Sequence, residues 1–270
     1  MMDPVEVVRG SGPIVFGMPH TGLNVPDDIQ KTLNATGRRL TDTDWNIHLL
    51  YDGLLDDVTT VRATFHRYVI DANRDPSGES LYPGQNTTGL CPTTDFDGKP
   101  LYREGMEPDE AEVERRLSAF HRPYHTALKA ELERVHAKHG VAILYDCHSI
   151  RSHIPFLFEG TLPDFNIGTN RGTTCDIEIE RIVAACCNSA YGYTSVVNGR
   201  FKGGWTTRHY GKPENGVHAI QMELAQRSHL KTEAAPFDLD ERNANALRHH
   251  LGEILHALDT WARERTSGSK

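Results

Sequence analysis

No stretch of the sequence stays apolar for anything near the roughly 20 residues that a membrane helix needs. Met1-Met2-Asp3-Pro4 also lacks the basic and apolar regions of a signal peptide. No membrane partner is expected, and the cytoplasm is the predicted location. Basic charge is short as well: 29 Lys and Arg against 37 Asp and Glu leave a formal −8, which argues against nucleic acid as a partner. The five cysteines (Cys91, Cys147, Cys175, Cys186 and Cys187) are odd in number and have no zinc-knuckle spacing. A reduced chain follows. There is no internal repeat, no low-complexity segment and no Gly-x-Ser-x-Gly elbow around Ser149, and nothing marks Cys147 as an activated thiol. Serine and cysteine hydrolases are therefore disfavoured. Histidine, by contrast, is plentiful, at 15 of 270 residues. The length suffices for one large α/β domain with a full core, expected over residues 1–265 with 266–270 as a loose tail.

The most informative stretch is Gly140-Val-Ala-Ile-Leu-Tyr-Asp146-Cys147-His148-Ser149. A short apolar run after a helical pattern reads as a strand buried on both faces, and open α/β sheets bind ligands beyond the carboxyl ends of such strands. Pro13-Ile-Val-Phe-Gly-Met-Pro19-His20-Thr21-Gly22 repeats the pattern more than a hundred residues earlier. Two such histidines suggest neighbouring strands converging on one metal. Imidazole nitrogens suit Zn²⁺, which in catalytic sites typically takes three protein ligands.

Taken in order, residues 5–9 and 13–18 read as strands around the Arg9–Gly12 turn, and Pro26 to Leu33 as a short helix. Asp44 to Leu55 reads as an amphipathic helix capped by Thr41, Asp42 or Thr43. Val58–Thr64 and Arg67–Ala72 are rich in β-branched residues and read as strands. Residues 76–105 form a long polar loop whose aromatics (Tyr82, Phe96, Tyr102) argue for an ordered lid. A long helix is expected from Glu107 to His139, kinked or divided at Pro123. A strand at Phe165–Thr169, a helix at Asp176–Tyr191 and a strand at Thr194–Val197 follow. Phe201–Tyr210 reads as a Gly-rich, basic and aromatic loop, Val217–Leu224 as a strand, and residues 238 to about 263 as a helix.

Reactive side chains thus stand at four predicted strand ends: His20, the run Asp71-Ala72-Asn73-Arg74, Asp146 with His148, and Glu223. Singly, each has a plain structural explanation. Asp71 would serve a turn, Arg74 a surface ion pair and Glu223 a solvated edge. Their clustering is what points to a site. His48, His66, His121, His125, His153, His209 and His218 are read as structural.

In order along the chain, these elements resemble the zinc carboxypeptidases: a ligand histidine, Asp-x-Asn-Arg, Asp-x-His-Ser, then a strand ending Glu223-Leu224. One element departs. The glutamate ligand expected three residues after the first histidine is Leu23. The third ligand must come from elsewhere, with Asp44 the first choice and Asp42 the second. Pro19-His20-Thr21-Gly22, Asp42-Thr43-Asp44-Trp45, Asn73-Arg74-Asp75-Pro76, Asn86-Thr-Thr-Gly-Leu90 and Thr94-Asp-Phe-Asp-Gly98 together resemble the N-formylglutamate amidohydrolases over residues 13 to 230. That resemblance implies a three-layer α/β fold, a mixed β-sheet flanked by helices of zinc-carboxypeptidase-like (phosphorylase/hydrolase-like) type. It also implies hydrolysis of N-formyl-L-glutamate to formate and glutamate, the last step of one histidine-degradation route. Its rivals are hydrolysis of another N-acyl or peptide substrate and a silent binding protein.

On this resemblance His20, His148 and one aspartate would bind Zn²⁺, with Co²⁺, Mn²⁺ or Fe²⁺ also compatible with the donors. Asp71 would orient His20, and Asp146 would orient a ligand or bind the metal itself. Glu223 would be the general acid–base. The substrate is a small dicarboxylate. Asn73 and Arg74 would hold its α-carboxylate, and a second arginine its γ-carboxylate: Arg208 first, with Arg103 and Arg171 as rivals. The sequence says nothing of oligomeric state.

Overall fold

A computed structural model describes residues 3–81 and 84–267 of the chain; Tyr82 lies outside them. At its centre the strands β1 (Val5–Val8), β2 (Ile14–Met18), β3 (Thr59–Ala63), β4 (Ala142–Ile150), β5 (Phe165–Gly168), β6 (Ser195–Val197) and β7 (Val217–Ala225) form one sheet. Its order is β1-β3-β2-β4-β7-β5-β6. The middle four strands are parallel. β1 and β5 run antiparallel to their inner neighbours, which makes the sheet mixed. β1 and β2 are not partners across the Arg9–Gly12 turn, because β3 lies between them.

Helices cover both faces. On one, Val15, Val61, Ala142, Leu144 and Ala219 pack against Tyr124, Leu128, Leu132 and Val135 of α4 (Arg122–His139). On the other, Ile143, Tyr145, Ile220 and Met222 meet α5 (Ile177–Ser189) and α7 (Glu241–Ser267). The result is the three-layer α/β arrangement expected. Among the described residues no helix is long and apolar enough to cross a membrane.

Side chains alternate along a strand, so Ala142, Leu144, Asp146 and His148 share the α4 face of β4. On β7 the same face carries Ala219, Gln221 and Glu223. Where the strands pass beyond the helix that covers them, this column turns from apolar to ionisable. Gly140 makes that entry possible: at φ +71° it ends α4 in the left-handed region and turns the chain straight into β4.

Four local expectations are corrected. Asp44–Leu55 is not one helix; only α2 (Ile47–Tyr51) is helical, and neither Thr41, Asp42 nor Thr43 caps it. The preceding residues are held out of the helix by the Asp44 N–H, which donates to the His20 carbonyl. Arg67–Ala72 is a series of turns rather than a strand. Residues 205–210 of the expected 201–210 loop form α6 (Trp205–Tyr210). Helix α7 runs through Thr266, whose Oγ1 donates to the His139 carbonyl, and residues 268–270 of the expected tail lie outside the described residues. The long helix is divided near Pro123, as its missing N–H requires: α3 (Glu110–Arg116) passes through a π-helical turn at residues 117–121 into α4. Within the 76–105 loop, Phe96, Leu101 and Tyr102 are buried, which anchors its second half.

Several histidines are buried where the neutral ring is favoured. His218 Nδ1 accepts the Asp176 N–H at 3.1 Å, and burial lowers its pKa to about 4. Burial likewise lowers His229 to about 4 and His125 to about 3. Unfolded histidine titrates near 6.5, so below that pH the unfolded chain binds more protons. Stability is complete above 6.5 and is lost as pH falls towards 4. Going from pH 7 to 5, His218 alone should cost about 2 kcal/mol. Urea midpoints at the two values check this. His218→Gln should fall less steeply, and an unchanged slope would remove His218 from the explanation.

Candidate active site

His20 lies just beyond β2, and His148 is in β4, the parallel neighbour of β2. Asp44 reaches them through the backbone bond that ties it to His20. All three are buried. His20 Nδ1 and His148 Nδ1 are 3.2 Å apart, and Asp44 Oδ2 is 3.1 Å from the latter and 3.6 Å from the former. The far nitrogens face carboxylates. His20 Nε2 is 2.7 Å from Asp71 Oδ1, which can only accept, so the His20 proton belongs on Nε2. His148 Nε2 is 3.0 Å from Asp146 Oδ1, not yet in line for a good hydrogen bond. That oxygen is buried without a hydrogen-bond partner, and the Asn73 amide nitrogen approaches the same His148 Nε2 at 3.3 Å.

Two imidazole Nδ1 atoms and a carboxylate oxygen thus converge on one point. Such a set calls for a positive charge at its centre, and these donors fit a divalent cation. The same shortage of positive charge is felt by His148. Burial opposes its protonation, but Asp146 and Asp44 outweigh burial and draw it well above its ordinary value.

Asp44 was placed first by the sequence, and it is Asp44 that faces the two histidines. Asp42 points elsewhere: its Oδ2 accepts the Phe96 N–H at 2.8 Å. Burial raises it to about 6, against the pull of Tyr68 and Arg67. Asp146 stands behind His148, where Thr207 Oγ1 donates to its Oδ2 at 2.9 Å.

No sequence pattern points to Arg67, yet it is central. Its guanidinium donates to Asp44 Oδ1 at 2.8 Å, approaches Asp71 Oδ2 at 3.7 Å and lies 5.0 Å from the Phe96 ring centroid. Burial alone would raise the Asp44 carboxyl; Arg67, His20 and His148 overcome it and hold Asp44 well below the usual range. Asp44 and Asp71 are thus both ionised around the histidines they serve.

Glu223 is the direct cross-strand partner of His148 and lines the same cleft. Burial raises its carboxyl to about 8, with His148 pulling the other way. Gln221 orients it. The Gly204 N–H donates to Gln221 Oε1 at 2.7 Å, which turns the Gln221 amide nitrogen towards Glu223 Oε2, 3.1 Å away.

Asn73 is fixed on three sides. Its N–H donates to Asp71 Oδ1, its Oδ1 accepts the Thr206 N–H, and its Nδ2 lies 3.3 Å from His148 Nε2. A Cβ on Gly204 would fall 2.3 Å from Asn73 Nδ2, so only glycine allows this approach. His121 and His125, read as structural, support the turn from behind with Nε2 contacts to the Arg74 and Ala72 carbonyls. Arg74 lines the cleft, and its guanidinium donates to the Thr88 carbonyl and hydroxyl.

Arg208 is not brought in. Helix α6 carries it, its Nε donates to the Gly203 carbonyl at 2.9 Å, and it is absent from the cleft lining. Arg103 and Arg171 are exposed and also absent from it. The cleft arginines are Arg67, Arg74 and Arg200.

Residues 12–230 match the N-formylglutamate amidohydrolase family. The chain is 48% identical over 266 residues to the N-formylglutamate deformylase of Pseudomonas aeruginosa, covering 98% of this chain and 99% of that one. It is 45% identical to the N-formylglutamate deformylase of Pseudomonas putida, covering 95% and 96%. The crystal structure of N-formylglutamate amidohydrolase from Ralstonia eutropha JMP134 shares the fold, with a TM-score of 0.80 at 24% identity over 97% of this chain and 99% of that one. A match of this extent, together with the site just described, establishes that the chain belongs to the N-formylglutamate amidohydrolase family.

Proposed function

We propose that the protein is a metal-dependent deformylase that hydrolyses N-formyl-L-glutamate to formate and L-glutamate, a step of histidine degradation. The reaction is supported by the relatives' names and extent of identity. The observation that supports the metal dependence is the convergence of two imidazole Nδ1 atoms and a carboxylate oxygen, from His20, His148 and Asp44, on one buried point.

In this reading the three residues hold a divalent cation, with Zn²⁺ favoured by the N₂O donor set. When bound, it supplies a Lewis acid beside an otherwise unreactive formamide. The chain does the rest. Asp71 keeps the His20 proton on Nε2 and its Nδ1 available, and Asp146 stands behind His148. Glu223 takes a proton from the attacking water and returns it to the amine nitrogen as the C–N bond breaks. Burial favours its protonated form and neighbouring positive charge its carboxylate, so it is suited to both halves of that transfer. Arg67 holds Asp44 ionised and sits close enough to the triad to steady negative charge developing on the formyl oxygen. Arg74 and Asn73 meet the α-carboxylate, where a planar guanidinium matches carboxylate geometry. Five free cysteines are in keeping with a reducing, cytoplasmic setting.

The test is stoichiometry and preference. Purified protein should release formate and glutamate one for one from N-formyl-L-glutamate, faster than it deacylates N-acetyl-L-glutamate or N-formylglycine. A clear preference for either alternative would favour a different N-acyl substrate on the same scaffold.

A further inference from the structure

Hydrolysis of N-formylglutamate, the reading on which this inference rests, brings two carboxylates into the cleft, and a carboxylate removed from water needs a cationic, hydrogen-bonding partner. Three arginines line that cleft. Arg67 is committed to Asp44 and Asp71. Arg74 continues the turn that carries Asn73, beside His148, and suits the carboxylate nearest the reacting amide. Arg200 remains for the other.

The surroundings of Arg200 fit this role. Its Nε donates to the Leu157 carbonyl at 3.2 Å, its terminal nitrogen to the Asn86 carbonyl at 3.4 Å, and its guanidinium lies 5.5 Å from the Phe201 ring centroid. These contacts come from three separate segments, and the Asn86 side chain closes the ring by donating to the Phe156 carbonyl at 2.8 Å. These carbonyl oxygens and the ring face orient the guanidinium. The metal-ligating residues and Glu223 are buried at the floor, whereas Arg200 is half-buried and its partner Asn86 exposed. With the formyl group at the floor and Arg74 beside His148, the longer arm is left to reach Arg200, which lines the same cleft.

We propose that Arg200 receives the side-chain carboxylate of the substrate and makes the enzyme selective for an acidic side chain. Arg208, held by the Gly203 carbonyl outside the cleft lining, is not this residue.

The test compares N-formyl-L-glutamate with N-formyl-L-glutamine, which differs only in an amide at the far end. Wild-type enzyme should favour the acid. Arg200→Met, with metal content and circular dichroism checked, should lose about 10- to 100-fold in kcat/KM on N-formylglutamate, mostly through KM. Its loss on N-formylglutamine should be at least about tenfold smaller, so that the preference collapses. Arg200→Lys, which keeps the charge but not the fork, should fall between, and it decides the question if the methionine variant does not fold. Equal losses on both substrates, or an intact preference in the variants, would overturn the inference while leaving the deformylase reading in place. No formate from wild-type enzyme with either substrate would overturn the deformylase reading and this inference with it.

Discussion

Glu223→Gln is expected to lower kcat for formate release by roughly 10²–10⁴-fold, the usual range for a positioned acid–base group, while metal content and KM stay near wild type. The substitution preserves size and shape but cannot accept a proton from water. Glu223 lies directly opposite His148 on the neighbouring strand and lines the cleft, so it faces the place where water and formamide meet. Gln221 holds it there through an amide whose direction is set by the Gly204 N–H. Because the glutamine variant can still receive a hydrogen bond from Gln221, the site should keep its shape. Steady-state kinetics with metal analysis on the same preparation checks this. A variant with near-normal kcat would remove Glu223 from the chemistry and leave Asp146 as the next buried carboxylate on that face.

Asp44→Ala and Asp42→Ala should separate completely. Asp44→Ala removes the carboxylate oxygen that faces both Nδ1 atoms and strips Arg67 of its nearest acid. Metal should fall well below one per chain and turnover to background, with lower stability because a buried guanidinium loses its partner. Asp42→Ala should keep its metal. Its cost is the acceptor for the Phe96 N–H, about 1–3 kcal/mol for a buried donor left unpaired, felt at the 95–98 turn and not at a helix cap. Metal analysis and urea unfolding of both variants decide between them. Metal loss in Asp42→Ala with retention in Asp44→Ala would exchange their roles.

The parts of the site legible in the sequence are those placed by strand periodicity. An apolar run that ends in a reactive side chain marks the edge of helix cover, and His20, Asp146, His148 and Glu223 all carry that mark. Asp44 has no such signal. It lies in irregular chain fixed by one long-range backbone bond to His20, and only a resemblance could single it out, with Asp42, as a candidate third ligand. Arg67 was hidden differently. Its run of β-branched neighbours reads as a strand, but burial between Asp44, Asp71 and Phe96 turns the chain instead. Between Arg200 and Arg208 local sequence offers no choice, since both sit in glycine-rich surroundings. The six residues of α6 decide, by holding Arg208 against the Gly203 carbonyl. The Pro123 division, by contrast, follows from one missing N–H and is visible at once.

Metal dependence is tested most directly by formate release from N-formyl-L-glutamate before and after chelation, with circular dichroism recorded on the stripped protein. The cores on both faces of the sheet are built from many apolar side chains that do not depend on the triad for their packing, so the fold should survive metal removal, unlike that of a zinc finger. The expected result is native-like circular dichroism, loss of turnover, and recovery when about one equivalent of Zn²⁺ is returned. Undiminished formate release from protein shown to be metal-free would contradict it.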